Sequence, residues 1–92
     1  MPLTATVDPG HHHFATDVVY FYMDNGEQHV RCGVTRLSLE LLEPDLPSTK
    51  QGRIQAFKQR RTRIERAASA KFDRGHFEPD GRTILVRTVD LV

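Results

Sequence analysis

Arg61 is a cation in an apolar place. Between Gly52 and Gly75, Ile54, Phe57, Ile64, Ala68 and Phe72 recur at helical spacing. At roughly 100° per residue they fall within about 80° of one another, and Arg61 falls in the same sector. An unpaired guanidinium on a buried face is costly, so it must meet a carboxylate, reach solvent or hold a ligand. Among Asp17, Glu78 and Asp90 the expected partner is Asp90, which makes Arg61 and Asp90 a buried structural ion pair. A ligand-anchoring arginine in a small pocket is the second reading.

The other basic residues of this stretch point to a different chemistry. Arg53, Lys58, Arg60, Arg63, Arg66 and Lys71 coat the rest of the helix surface. Side chains of this kind neutralise phosphates in nucleic-acid binding modules. From Gly52 to Gly75 eight basic residues meet only Glu65 and Asp73, a net of +6, while the remainder carries five basic and ten acidic residues, −5. The segment therefore faces either an anionic partner or its own acidic body. The charges are not confined to one face. No aromatic residue is interleaved for base stacking. About eight residues with two prolines separate this helix from the preceding one, unlike the tight turn of a helix-turn-helix. A solvated helix face is the plainer reading.

His11, His12 and His13 invite a metal. Neighbours on an extended chain point in alternating directions, so at most two would share an ion, and no carboxylate or cysteine spacing supports a closed site. An exposed loop or tail with adventitious metal affinity is expected. Cys32 is the only cysteine and excludes an internal disulfide. It alternates with Val30 and Val34, as a buried strand thiol would. Ser38, Ser48 and Ser69 lie in no nucleophile-elbow context, no glycine-rich phosphate loop is present, and the acidic residues are scattered singly. The expectation is a non-enzyme with no cofactor.

The elements that must position these residues are legible in turn. Asp17–Met23 is β-branched and aromatic, Asn25-Gly26 suits a tight turn, and Glu27–Val34 alternates; together they predict a hairpin. Thr35 caps a short helix that has Leu37, Leu39, Leu41 and Leu42 to bury, and Pro44 ends it. One long helix follows from about residue 53 to 74, stopped by Gly75. His76–Glu78, the Pro79-Asp80-Gly81 turn and Thr83–Val89 predict a second hairpin. The order hairpin, short helix, long helix, hairpin reads as α+β: an antiparallel sheet of about four strands with helices on one face. Ninety-two residues make a single domain, 1–92, with residues 1–16 as a loosely attached N-terminal segment. Apolar content of 38% and charged content of 27% fit a globular chain. No apolar run approaches a membrane span and the N-terminus lacks a signal-peptide pattern, so a cytoplasmic protein is expected.

This ordering resembles a family of small bacterial proteins, domain of unknown function family 1488. The likeness runs from Met1-Pro2-Leu3 through Val19 and Phe21, Val30-Arg31-Cys32-Gly33-Val34-Thr35, and Leu39 and Leu42. It continues in the spacing Phe57, Arg61, Ile64, Ala68 and closes on Asp80-Gly81 and Asp90-Leu91. The three histidines, the proline-containing loop and Leu37 depart from the family pattern. The resemblance implies a fold and a bacterial cytosolic setting, and no reaction.

Two functions fit these residues. In the first the chain is a non-catalytic accessory or interaction domain. Val18, Tyr20 and Tyr22 alternate with Val19, Phe21 and Met23, so both faces of that strand are apolar or aromatic, and one helix layer covers only one of them. The other face would meet either the N-terminal segment or another protein, with a C2 homodimer as the default symmetry. In the second the chain is a nucleic-acid-associated regulator using the basic helix.

Overall fold

The computed structural model describes residues 3–91. Met1 and Pro2, where the family resemblance starts, lie outside the described residues.

Four strands and three helices form a mixed α+β layer. The strands are β1 (His11–His13), β2 (Val18–Asn25), β3 (Gln28–Thr35) and β4 (Ile84–Val86). The helices are α1 (Arg36–Leu42), α2 (Lys50–Gln59) and α3 (Arg61–Asp73), and a 3₁₀ turn spans Thr88–Asp90. The sheet order is β1-β2-β3-β4. β1 and β3 run antiparallel to β2, while β4 runs parallel to β3.

β2 and β3 form the expected hairpin. Asn25 pairs with Gln28, so the two-residue loop is Gly26-Glu27, one position later than the Asn-Gly reading. Gly26 has φ +63°. Glycine at the first loop position with positive φ matches the right-handed twist of the strands. Strand alternation then puts Val19, Phe21, Met23, Val30, Cys32 and Val34 on the helix-covered face with Ile84 and Val86.

Thr35 Oγ1 accepts the Ser38 N–H at 3.2 Å and caps α1. Leu39 and Leu42 enter the core, but Leu37 and Leu41 face solvent, 57% and 49% exposed. A helix of seven residues buries one stripe, and four leucines do not fit on it. Thr49 Oγ1 caps α2 through the Gly52 N–H at 3.0 Å. At the other end of the helical region, the Gly75 N–H reaches the Phe72 carbonyl and the His76 N–H reaches the Lys71 carbonyl, with Gly75 at φ +70°. That is a Schellman stop, as the glycine required.

Three expectations are corrected. The single helix over 53–74 is two helices, broken at Arg60, whose φ of −113° and ψ of 19° leave the helical region. No proline or glycine marks the break. It lets each half turn its own stripe to the sheet: Arg53, Ala56 and Phe57 from α2, Ile64, Ala68 and Lys71 from α3. Ile54 and Phe72 are only half-buried in consequence. The second hairpin does not form. His76–Glu78 follows the Schellman stop as irregular chain, and β4 reaches β3 only after three helices, a crossover that returns the chain parallel. The histidine run is no loose tail but strand β1, in register with Val18–Tyr20.

The N-terminal segment is also tied down. Thr4 and Asp24 exchange backbone hydrogen bonds at 2.9 and 3.0 Å, and Leu3 is buried against the core. Thr6 Oγ1 donates to the Tyr22 carbonyl at 2.8 Å, and Asp8 Oδ2 accepts the Tyr22 N–H at 2.8 Å. These bonds cover the edge of β2 where β1 has not yet begun.

Candidate functional site

All three helices lie on one face of the sheet, so among the described residues no helix covers the side chains of the other face. From β2 this face carries Val18, Tyr20 and Tyr22; from β3, His29, Arg31 and Gly33; from β4, Leu85. Val18, Tyr20 and Leu85 close over Gly33, where a Cβ would meet each of them at 3.0–3.1 Å. The Arg31 guanidinium lies over the Tyr20 ring, 3.9 Å from its centroid. Tyr22, 43% exposed, meets the His29 ring edge-on at 6.5 Å.

Beside Tyr22 and Arg31 the face falls into a cleft of about 890 Å³, whose far side is built by Phe72, Phe77 and the 80–83 turn. Phe72 and Phe77 stack edge-to-face at 5.7 Å. The turn is held by Asp80. Its Oδ1 accepts the Arg82 and Thr83 N–H groups, each at 2.8 Å, and its Oδ2 accepts the Thr83 hydroxyl at 2.6 Å. Those bonds, the Thr83 hydroxyl first, hold the Asp80 carboxyl down to about 2. Among the described residues neither Arg31 nor Arg82 has a carboxylate within salt-bridge distance. The pattern that could have disclosed this surface was the second alternation, Tyr20, Tyr22 and Arg31 out of phase with the core. The cleft's far wall comes from residues about 40 to 60 positions away and left no local trace.

Most of the basic coat is spent internally. Arg53 is buried and bonds Asp17 Oδ1 at 3.4 Å and Glu40 Oε1 at 3.3 Å. Lys71 is buried and bonds the Leu85 carbonyl at 2.8 Å and Asp90 Oδ2 at 3.0 Å. These two are therefore removed from any nucleic-acid surface. Arg60 pairs with Glu43 at 2.7 Å, and Arg63 donates to the Leu91 carbonyl at 2.6 Å. Arg60, Arg63 and Arg66 line a shallow depression of about 250 Å³. Lys58 and Arg66 make no internal ion pair among the described residues.

The expected Arg61–Asp90 pair is replaced. Asp90 takes Lys71 and the Arg87 N–H, while Arg61 takes Glu65, one helical turn on, at 2.9 Å. Arg61 also donates to the Thr6 carbonyl at 3.1 Å and to the Asp8 carbonyl, and lies over the Phe57 ring. Its place in the apolar sector is real, but the N-terminal segment crosses it there and supplies the acceptors. Asp90 is held below the ordinary carboxylate range; burial pushes it up, and the Arg87 N–H and Lys71 outweigh that.

The three histidines diverge, as strand alternation requires. His11 faces Asp8 at 3.5 Å and is exposed; His13 packs edge-on against Tyr20. His12 turns inward, its side chain 5% exposed, with Nε2 2.6 Å from Asp17 Oδ1. His12, then Arg53, draw the Asp17 carboxyl below its usual range despite its partial burial. Asp17 sits at φ +53°, the one non-glycine residue in the left-handed region among those described. No group of three metal-ligating side chains converges among the described residues. Cys32 is buried, and burial pushes its thiol up to about 12, so it has little thiolate to offer as a nucleophile.

Residues 8–85 match the family model described as "Protein of unknown function (DUF1488)". The chain is also similar to a crystal structure of a protein of unknown function from the same family from Shewanella loihica PV-4. That match has a TM-score of 0.81 and 19% identity over 92% of this chain and 91% of that chain. At this identity the likeness concerns the fold. No curated protein matches the chain.

Proposed function

Because this chain belongs to the DUF1488 family of proteins of unknown function, its role is read from its own surface, and we propose that it is a non-catalytic interaction domain that docks an anionic partner on the open face of its sheet. One observation carries the reading: Tyr22 and Arg31, paired across β2 and β3, stand on the face that no helix covers. Exposed tyrosine and arginine on a firm sheet are the side chains that anchor interfaces, because tyrosine buries a large area with two side-chain torsions and arginine adds a planar fork of donors. Arg31 and Arg82 supply positive charge there, with no carboxylate partner among the described residues. A second copy docked face to face would bring Arg31 toward Arg31, so an acidic partner fits the charge better than self-association.

The test is site-specific photo-crosslinking in the native host. A photoreactive residue at position 22 should capture a partner, the same residue at Lys58 on the helix side should not, and Arg31→Glu should abolish the adduct. Equal capture at both positions, or capture that survives Arg31→Glu, overturns the reading.

A homodimer has a separate support. Leu37 and Leu41 are exposed on one side of α1, and Val89, 70% exposed, lies on the adjoining 3₁₀ turn. These three exposed side chains are apolar, so they can meet their own copy across a two-fold axis. Light scattering should then report a dimer that Leu41→Glu dissociates; a monomer at high concentration sinks this second reading. Helix-based nucleic-acid binding has less behind it, because four of its six basic residues already have internal partners.

A further inference from the structure

We infer that the cleft between Tyr22 and Phe77 is a binding site for a small ring-bearing anion of the nucleoside monophosphate class. The inference takes from the proposed function only that the open face is the working surface. It concerns a small molecule in the cleft, whereas crosslinking reads a macromolecule on the face.

Shape comes first. At about 890 Å³ the cleft lies within the size range of small-molecule sites. Aromatic rings line it: Tyr22, and Phe72 and Phe77, which meet edge-to-face. A nucleobase has a π face for each of these.

Charge comes second. Arg31 and Arg82 line the same cleft, and their guanidinium donors are not consumed by carboxylates among the described residues. Planar guanidinium groups match the oxygens of a phosphate. Arg31 is steadied from below by the Tyr20 ring. Arg82 is carried by the turn that Asp80 ties together. His29 also lines the cleft, but its Nδ1 is engaged by Asp24 at 2.5 Å. Asp80 is the one carboxylate among the described lining residues. Three bonds from its own turn engage both its oxygens, so it serves to hold the turn. Its charge acts against an anion in the cleft and is offset there by Arg31 and Arg82, with the phosphate toward these two and the ring over the aromatic wall.

The experiment is an amide NMR titration of the full chain with AMP, GMP, CMP and UMP, one at a time. At least one should shift the amides of Tyr22, Arg31, Phe77 and Arg82 saturably. Arg31→Gln and Arg82→Gln should each weaken it by about tenfold, as loss of one charge-assisted contact would. Phe77→Leu should weaken it about fivefold or more through lost stacking. The free nucleoside should bind as poorly as the arginine variants, and Lys58→Gln should change nothing. All these positions are on the surface, and unchanged spectra elsewhere will report an intact fold. The inference is overturned if none of the four shifts these amides up to about 10 mM, where weak small-molecule binding is visible. Equal shifts from inorganic phosphate would leave an adventitious ion only. A hexanucleotide binding far more tightly than its monomer would make this a strand surface and not a small-molecule site.

Discussion

Lys71 Nζ lies 3.0 Å from Asp90 Oδ2, with both side chains nearly out of solvent, and its third-turn position on α3 lets it reach the Leu85 carbonyl as well. One lysine thus joins α3 to β4 and to the turn that follows it. A residue that looks on paper like part of a phosphate-binding coat is an internal strut.

Lys71→Met should therefore be costly. It leaves Asp90 and the Leu85 carbonyl without their partner, a loss of about 3 kcal/mol by the usual cost of breaking a buried pair. Lys58→Met, on the same stretch of chain but without a partner among the described residues, should change stability by less than about 0.5 kcal/mol. Urea unfolding of the two variants makes the comparison. Similar midpoints would show that the strut carries no load.

Gly52→Ala should destabilise although it lies inside α2. Alanine in place of glycine ordinarily favours a helix by about 1 kcal/mol. Here the added Cβ would sit 1.9 Å from the Pro47 carbonyl oxygen, a backbone atom that cannot swing aside. The clash should outweigh the propensity gain, with a net loss of about 1–3 kcal/mol. Thermal unfolding reads the sign, and a raised melting temperature would refute the close approach.

Cys32 should resist alkylation while the protein is folded. Its thiol is buried and pushed up to about 12 by that burial, with the Glu65 charge adding to it. Iodoacetamide at about pH 8 should label it only in denaturant, because the thiolate is the reacting species. Mass spectrometry of the native protein showing rapid labelling would contradict this placement.

Acid should unfold the domain through carboxylates that are held low. Asp80 is near 2 because the Thr83 hydroxyl and the Arg82 and Thr83 N–H groups favour its charged form; Asp17 is drawn down by His12 and Arg53, and Glu78 by Arg87. Folded values below the unfolded ones mean that these contributions are complete above the ordinary carboxylate range. They fade as pH falls from about 5 toward about 2. The urea midpoint should be level above that window and drop within it. Thr83→Val, which removes the leading cause at Asp80, should make the drop shallower and complete it at higher pH. A midpoint that rises on acidification would reverse the sign.

The basic helix makes a last prediction. Anisotropy of labelled DNA and RNA oligomers at about 50 and 200 mM salt should be unchanged by replacing Arg60, Arg63 and Arg66 together. Binding that collapses with salt and vanishes in this triple variant would restore the helix as a phosphate surface.

What the sequence determined by itself is what neighbouring residues decide among themselves. Gly26 bends the β2–β3 hairpin, Thr35 caps α1 three residues on, and Gly75 stops α3; each rests on a bond or a dihedral within a few positions. Alternation likewise sent Val30, Cys32 and Val34 to the core. The tertiary structure decided the partners. Arg61 bonds carbonyls 53 and 55 residues earlier, and Lys71 takes the aspartate meant for Arg61. His12 turns inward because β1 pairs with β2 in one register, which sets His12 opposite Val19. The direction of β4 and the far wall of the cleft follow from how three helices carry the chain back across the sheet. Charge and apolarity specify that a buried cation must be satisfied; which of several carboxylates and carbonyls satisfies it depends on distances that exist only once the sheet and helices have packed.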